Sequence, residues 1–294
     1  MANEAAAAAE EVRVRRGVKK GLYLLPSAFT AANIGMGYFA VMAALRGFQL
    51  LDAGGASGVG AATAHFDNAS RAIGWAILFD SLDGRIARMT KTTTEIGIQL
   101  DSIADVVTFG IAPAVLVYAW GYGGALPEGS QLHKLGWFVS FMFLICGAIR
   151  LARFNVQATR PRPLAEGSAK VDKKNFVGLP IPAAAGLLVA LIHFAPHPLA
   201  SYGGTLPALY SGLLMGLVAV LATLMVSTIR YSSFKAVGGG RQSTIKVMPV
   251  IAAIGMLVWL FSRYVLLALI LTYVLSGLVS RFFALFRSRP AQEQ

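Results

Sequence analysis

The chain has 294 residues, 56% hydrophobic and only 14% charged, with a mean hydropathy of +0.62. Soluble domains carry about 25% charged residues, so this composition excludes a soluble domain, a disordered tail and a fibrous repeat. The net charge of +12 would suggest nucleic acid in a soluble protein, whereas in a membrane protein it asks which side the basic residues occupy.

Residues 1–26 run from Ala5–Ala9 to Arg13, Arg15, Arg16, Lys19 and Lys20 and show no signal-peptide pattern. They read as a basic amphipathic segment along a membrane surface or as a basic tail. Apolar runs long enough to span a bilayer, about 20 residues each, follow at 27–47, 69–89, 98–120, 134–153, 179–197, 206–228, 245–261 and 263–285. The expected fold is therefore an all-α integral membrane protein of about eight transmembrane helices. The seventh run is short and only Ser262-Arg263 separates it from the eighth, so six spans plus a re-entrant pair is the alternative. Cys146, the single cysteine, can form no internal disulfide and reads as a packed thiol.

The basic residues orient these spans. Of the 26, 22 fall in the N-terminal segment, the even-numbered connections and the C-terminal end, leaving Arg46, Arg71, Lys134 and Arg263 on the other side. The positive-inside rule then puts both termini in the cytoplasm, and the excess charge is no sign of nucleic acid. The expected location is a prokaryotic cytoplasmic membrane.

Acidic residues concentrate in the second and third spans as Asp80, Asp83, Asp101 and Asp105. Residues three or four apart share a helix face, so each span offers one pair. The short turn between the spans makes them antiparallel neighbours whose pairs can face each other. Thr92-x-x-Glu95 is a capping-box pattern that would start the third span near the membrane surface. Asp80 lies roughly 14 Å from the cytoplasmic edge at about 1.5 Å per residue. Four carboxylates this close repel one another and are costly to desolvate. An all-oxygen set of this kind suits hard divalent ions, Mg²⁺ or Mn²⁺, and two such ions commonly flank a displacement at phosphorus. A salt-bridged structural cluster and an ion-translocation site are the competing readings. The small residues Gly84, Ala87 and Gly97 beside the carboxylates favour a bound ligand over a filled structural cluster. A translocation path would need polar residues toward the other face, yet Ile73–Phe79 and Val106–Val117 offer only Thr108.

Residues 80–105 read D-x2-D-G-x2-A-R-x8-G-x3-D-x3-D. This resembles the signature of the CDP-alcohol phosphotransferase family. The resemblance implies a six-helix catalytic core around a cytoplasm-facing pocket, usually in a homodimer, that displaces CMP from a CDP-linked lipid with two divalent ions. It implies metal binding by Asp80, Asp83, Asp101 and Asp105, with Asp105 also the general base. Gly84 and Ala87 would line the cytidine site, Arg88 would support the nucleotide or its phosphates, and Gly97 would belong to the same subsite. The implied division is a juxtamembrane segment 1–26, a catalytic domain 27–228, two added helices 229–286 and a tail 287–294.

Three further segments resemble the phosphatidylserine synthase branch of that family: Pro26-x3-Thr30-x2-Asn33, Gly147–Asn155 and Phe176–Gly186. That branch implies CDP-diacylglycerol and L-serine as substrates and CMP as a product, in contact with membrane lipids. Glycerol 3-phosphate or inositol phosphate as acceptor, or an ether-linked lipid, are the alternatives within the family. Arg150 and Arg153 sit one turn apart and present planar donor forks to a pyrophosphate or a serine carboxylate, or they are ordinary positive-inside anchors; Asn155 is grouped with them. Thr30 and Asn33 read either as CDP-lipid contacts or as interhelical hydrogen-bonding groups. His193 and His197 are i, i+4 but Pro196 interrupts them, and Gly238-Gly239-Gly240-Arg241 lacks the step that would make it a phosphate loop.

Overall fold

A computed structural model describes residues 28–52, 55–90, 95–159, 175–232 and 241–286. The basic segment 1–26, Thr92, Gly238–Gly240 and the tail 287–294 lie outside the described residues. Eight helices and a two-stranded ribbon are described: α1 (Ala28–Asp52), α2 (Gly55–Thr90), α3 (Glu95–Asp105), α4 (Ala112–Tyr118), α5 (Gln131–Thr159), β1 (Asn175–Val177), α6 (Ile181–Phe194), α7 (Leu206–Val226), β2 (Arg230–Ser232) and α8 (Arg241–Phe286). All eight expected segments fall on helices. Six described helical stretches are long and apolar enough to cross a membrane: Ala28–Asp52, Ile96–Gly123, Gln131–Val156, Ile181–Ser201, Leu206–Val226 and Ala252–Val279. The protein is an integral membrane protein of all-helical class. β1 and β2 add only a short antiparallel pairing, with Phe176 opposite Tyr231.

Helix α2 has 36 residues, about 54 Å at 1.5 Å per residue, longer than the roughly 30 Å hydrocarbon core. Its inward face is a stripe of Ala62, Phe66, Ala69, Ile73 and Ala76, all fully buried. The alternating steps of four and three continue to Asp80 and Asp83, so the carboxylates extend the buried face. Helix α1 follows the same logic. Its buried positions Thr30, Asn33, Gly37, Ala40, Ala44 and Gly47 recur at three and four, with the two polar residues at one end. Small residues let helices approach closely in a membrane: a Cβ on Gly47 would lie 2.9 Å from the Phe66 ring, and one on Gly37 would collide with Thr108.

The third span is not a uniform α-helix. π-helical stretches at Val106–Ile111 and Ala119–Gly123 flank α4. Pro113 has no N–H for the turn before it, and the ladder widens just ahead of that residue. Helix α6 occupies the centre, packed against α2, α7 and α8, with Ala184–Ala190 buried throughout. The seventh and eighth expected spans lie within α8 as two helical halves that meet at a kink at Phe261 (φ −132, ψ 43). The part after the break runs antiparallel to α6: Ser262 meets His193, and Ile270 lies over Gly186.

Candidate active site

Asp80 from α2 and Asp101 and Asp105 from α3 bring carboxylate oxygens within 4.8 Å of one another. The two helix faces inferred from spacing do meet. Asp83 lies one turn from Asp80 but turns toward α1, where the Thr30 hydroxyl donates to its Oδ2 at 2.6 Å; it remains within electrostatic reach of Asp101. Of this group, Asp105 carries the decisive atom. Its Oδ1 is buried and has no hydrogen-bond partner among the described residues. Leaving a buried charged acceptor unsatisfied is expensive, and a hard cation is the partner that an all-oxygen donor set fits. The residues present therefore fit divalent metal.

Other residues close around the cluster. Arg150 on α5 is half-buried and within electrostatic reach of Asp105, while its Nε is buried without a hydrogen-bond partner among the described residues. Asn155 Nδ2 donates to Ser102 Oγ at 2.8 Å, which ties α5 to the helix bearing Asp101 and Asp105. Arg153 is exposed. Asn33 is buried; its backbone carbonyl accepts from Thr108 Oγ1 at 3.0 Å, and its side-chain Oδ1 has no partner among the described residues. Gly84 is half-buried and Gly97 exposed. Ala87 and Arg88 belong to α2, but their side chains lie outside the described residues.

The π-helical stretch begins immediately after Asp105. Such bulges are frequent at functional sites, and this one sets where Thr108 meets α1. Spacing alone does not reveal it, although Gly110 and Pro113 are the local signs of an irregular ladder. A cavity of about 290 Å³ lined by Trp120, Leu191, Tyr202, Tyr210 and Leu214 lies elsewhere and has no acidic residue in its wall.

A model of the CDP-alcohol phosphatidyltransferase family matches residues 23–224. The chain belongs to that family. Two proteins of Helicobacter pylori strains named CDP-diacylglycerol–serine O-phosphatidyltransferase are 35% and 34% identical over 216 residues, covering 74% of this chain and 75% of each relative. A Methanocaldococcus jannaschii protein of the same name is 36% identical over 159 residues, covering 54% of this chain and 60% of that relative. The matched stretch of the phosphatidyltransferase model contains all four signature aspartates and Arg150, and stops before β2 and α8.

A second buried polar group was not visible in the sequence. Asp67, in the first half of α2, is bound by His193 Nδ1 at 2.5 Å and by Arg71 at 2.7 Å. With Nδ1 protonated toward Asp67, His193 Nε2 accepts from the Ser262 hydroxyl at 3.0 Å. His197 Nδ1 lies 3.4 Å from Thr63 Oγ1 instead, so the two histidines serve different contacts.

Proposed function

We propose that this phosphatidyltransferase moves the phosphatidyl group from CDP-diacylglycerol to L-serine, releasing CMP and forming phosphatidylserine. The observation that carries the reading is the convergence of Asp80, Asp101 and Asp105 on one point, with an unpartnered buried oxygen on Asp105. The names of the relatives support serine as the acceptor. Two divalent ions, Mg²⁺ or Mn²⁺, would be held by Asp80, Asp83, Asp101 and Asp105 and would supply charge neutralisation at the transferring phosphate.

In this mechanism Asp105 takes the proton of the serine hydroxyl. The hydroxyl oxygen forms a bond to the β-phosphorus of the CDP-lipid, and the bond from that phosphorus to the oxygen of the CMP phosphate breaks. Arg150 and Arg153 offer guanidinium forks to the serine carboxylate or the pyrophosphate. Thr30 fixes Asp83, and Asn33, Gly84, Ala87, Arg88 and Gly97 belong to the nucleotide-lipid side. The distribution of basic residues supports an active site on the cytoplasmic side of a prokaryotic cytoplasmic membrane. The resemblance of residues 80–105 to the family signature supports a homodimer, with catalytic domain 27–228, added helices 229–286 and terminal segments 1–26 and 287–294.

The test is CMP release from CDP-diacylglycerol with serine, glycerol 3-phosphate and inositol phosphate in parallel. Release with serine alone is expected. Release with either phosphorylated alcohol and none with serine would overturn the acceptor assignment and leave the family standing.

A further inference from the structure

Asp101 and Asp105 stand on a helix with little packing of its own. From Ile96 to Asp105 only Ala104 is buried, and Ile96, Ile98 and Ile103 are exposed. Among the described residues α3 packs mainly on the π-helical stretch that continues it, whereas that stretch and α4 both pack on α5. Apolar side chains turned to lipid do not draw helices together, because lipid tails are equally apolar; close packing and interhelical hydrogen bonds do. The like charges of Asp80, Asp101 and Asp105, gathered at one point, act in the opposite sense and push α3 away from α2.

Two contacts with α5 bracket Asp105. On one side Gly110 lets α5 approach, since a Cβ there would lie 2.9 Å from Leu144 Cδ1. On the other side Asn155 Nδ2 donates to Ser102 Oγ at 2.8 Å. The two segments run antiparallel, so a step back from Gly110 to Ser102 is a step forward from Leu144 to Asn155. The Ser102 hydroxyl donates its proton to the Ile98 carbonyl at 3.0 Å. Its oxygen is left as an acceptor, which the amide N–H of Asn155 suits. The packed contact holds the π-helical stretch, and the hydrogen bond holds α3 itself.

We infer that Asn155 is a positioning residue, acting through Ser102 to hold the α3 carboxylates in place against their mutual repulsion. This rests on the reading of those carboxylates as metal ligands. The role differs from that of Arg150 and Arg153, because it requires no contact between Asn155 and serine or phosphate. Without the bond α3 spends part of its time displaced, and the apparent affinity for a cation falls by the fraction of protein whose ligands are still assembled.

The experiment measures Mn²⁺ binding directly, and the melting temperature of the metal-free protein, for the full chain as wild type, Asn155→Ala, Ser102→Ala, the double variant and Ser102→Thr. Each alanine substitution is expected to weaken Mn²⁺ binding about three- to tenfold, the scale of one interhelical hydrogen bond in a membrane, with the metal-free melting temperature unchanged. The double variant should bind no more weakly than either single one, as partners in one bond do. Ser102→Thr keeps the hydroxyl and should bind as the wild type; if Asn155→Ala does not fold, Ser102→Ala against Ser102→Thr decides. Wild-type affinity in Ser102→Ala would overturn the inference, and a loss confined to Asn155→Ala would make Asn155 a ligand contact in its own right. Additive losses in the double variant, or a matching fall in metal-free melting temperature, would also overturn it. Failure of the underlying reading would show separately, as wild-type protein that binds no Mn²⁺.

Discussion

Helix α2 carries two acidic regions, the buried Asp67 in its first half and, about 20 Å further on at 1.5 Å per residue, the half-buried Asp80 with the buried Asp83. Both place carboxylates where water is scarce, but they solve the problem differently. Asp67 is surrounded by donors, with His193 on one oxygen, Arg71 on the other and Arg263 within electrostatic reach. The Asp80, Asp101 and Asp105 cluster gathers three like charges and leaves Asp105 Oδ1 with no hydrogen-bond partner among the described residues. A carboxylate satisfied by its own protein serves to join helices, here α2, α6 and α8. A cluster left open to a cation is organised for chemistry. Acidity and burial alone therefore do not mark the site; the unfinished set of partners does.

Substitutions that separate the two regions should behave in opposite ways. Asp105→Asn preserves shape but removes the base, and is expected to lower kcat by at least about a thousandfold, within the range for loss of a general base, while CDP-lipid binding is kept. Near-normal turnover in that variant would remove Asp105 from its role. His193→Ala should do the reverse. It leaves Asp67 buried with part of its donor set gone, an effect of about 3 kcal/mol for a broken buried pair. A clearly lower melting temperature is expected, with the kcat of the folded fraction within about twofold of wild type. A large loss of kcat without loss of stability would make the Asp67 region functional and dissolve the contrast.

The finest of these tests concerns the boundary between the two behaviours. Asp83 belongs to the signature, yet its Oδ2 accepts from Thr30 as a structural carboxylate would. Thr30→Val removes that donor and keeps the side-chain shape. The expected result is a modest rise, about three- to tenfold, in the Mg²⁺ or Mn²⁺ concentration needed for half-maximal CMP release, the scale of one charge-assisted hydrogen bond. No change in metal requirement would mean that Thr30 serves only the packing of α1 against α2.

Much of the catalytic region is legible in the sequence because its determinants are local. The steps of three and four from Ala62 to Asp83, and from Asp101 to Asp105, put these residues on defined faces. The two helices, only four residues apart in the chain, bring these faces together. Asp67, His193 and Ser262 come from three helices and are far apart in the chain, so no periodicity connects them. A second span beginning at 69 also leaves Asp67 outside it, whereas α2 begins at Gly55 and includes Asp67 in the helix. The bond from Asn155 to Ser102 is long-range in the same way. The π-helical stretch after Asp105 depends on how α1 packs at Gly37 and Thr108, which hydropathy does not record. The break at Phe261 does leave a trace, since Ser262-Arg263 interrupts an otherwise apolar run; whether that produces a turn between two spans or a bend within one helix depends on the neighbouring α6.

In the proposed reaction, transfer depends on divalent ions held by the three converging carboxylates. The most direct measurement strips the protein of divalent metal with a chelator and follows CMP release and Mn²⁺ binding as metal is returned, for the wild type and Asp101→Asn. No release is expected from the stripped wild type, with recovery on adding Mg²⁺ or Mn²⁺, and strongly weakened Mn²⁺ binding in Asp101→Asn. Full CMP release from metal-free protein, or Mn²⁺ binding in Asp101→Asn equal to that of the wild type, would contradict this dependence.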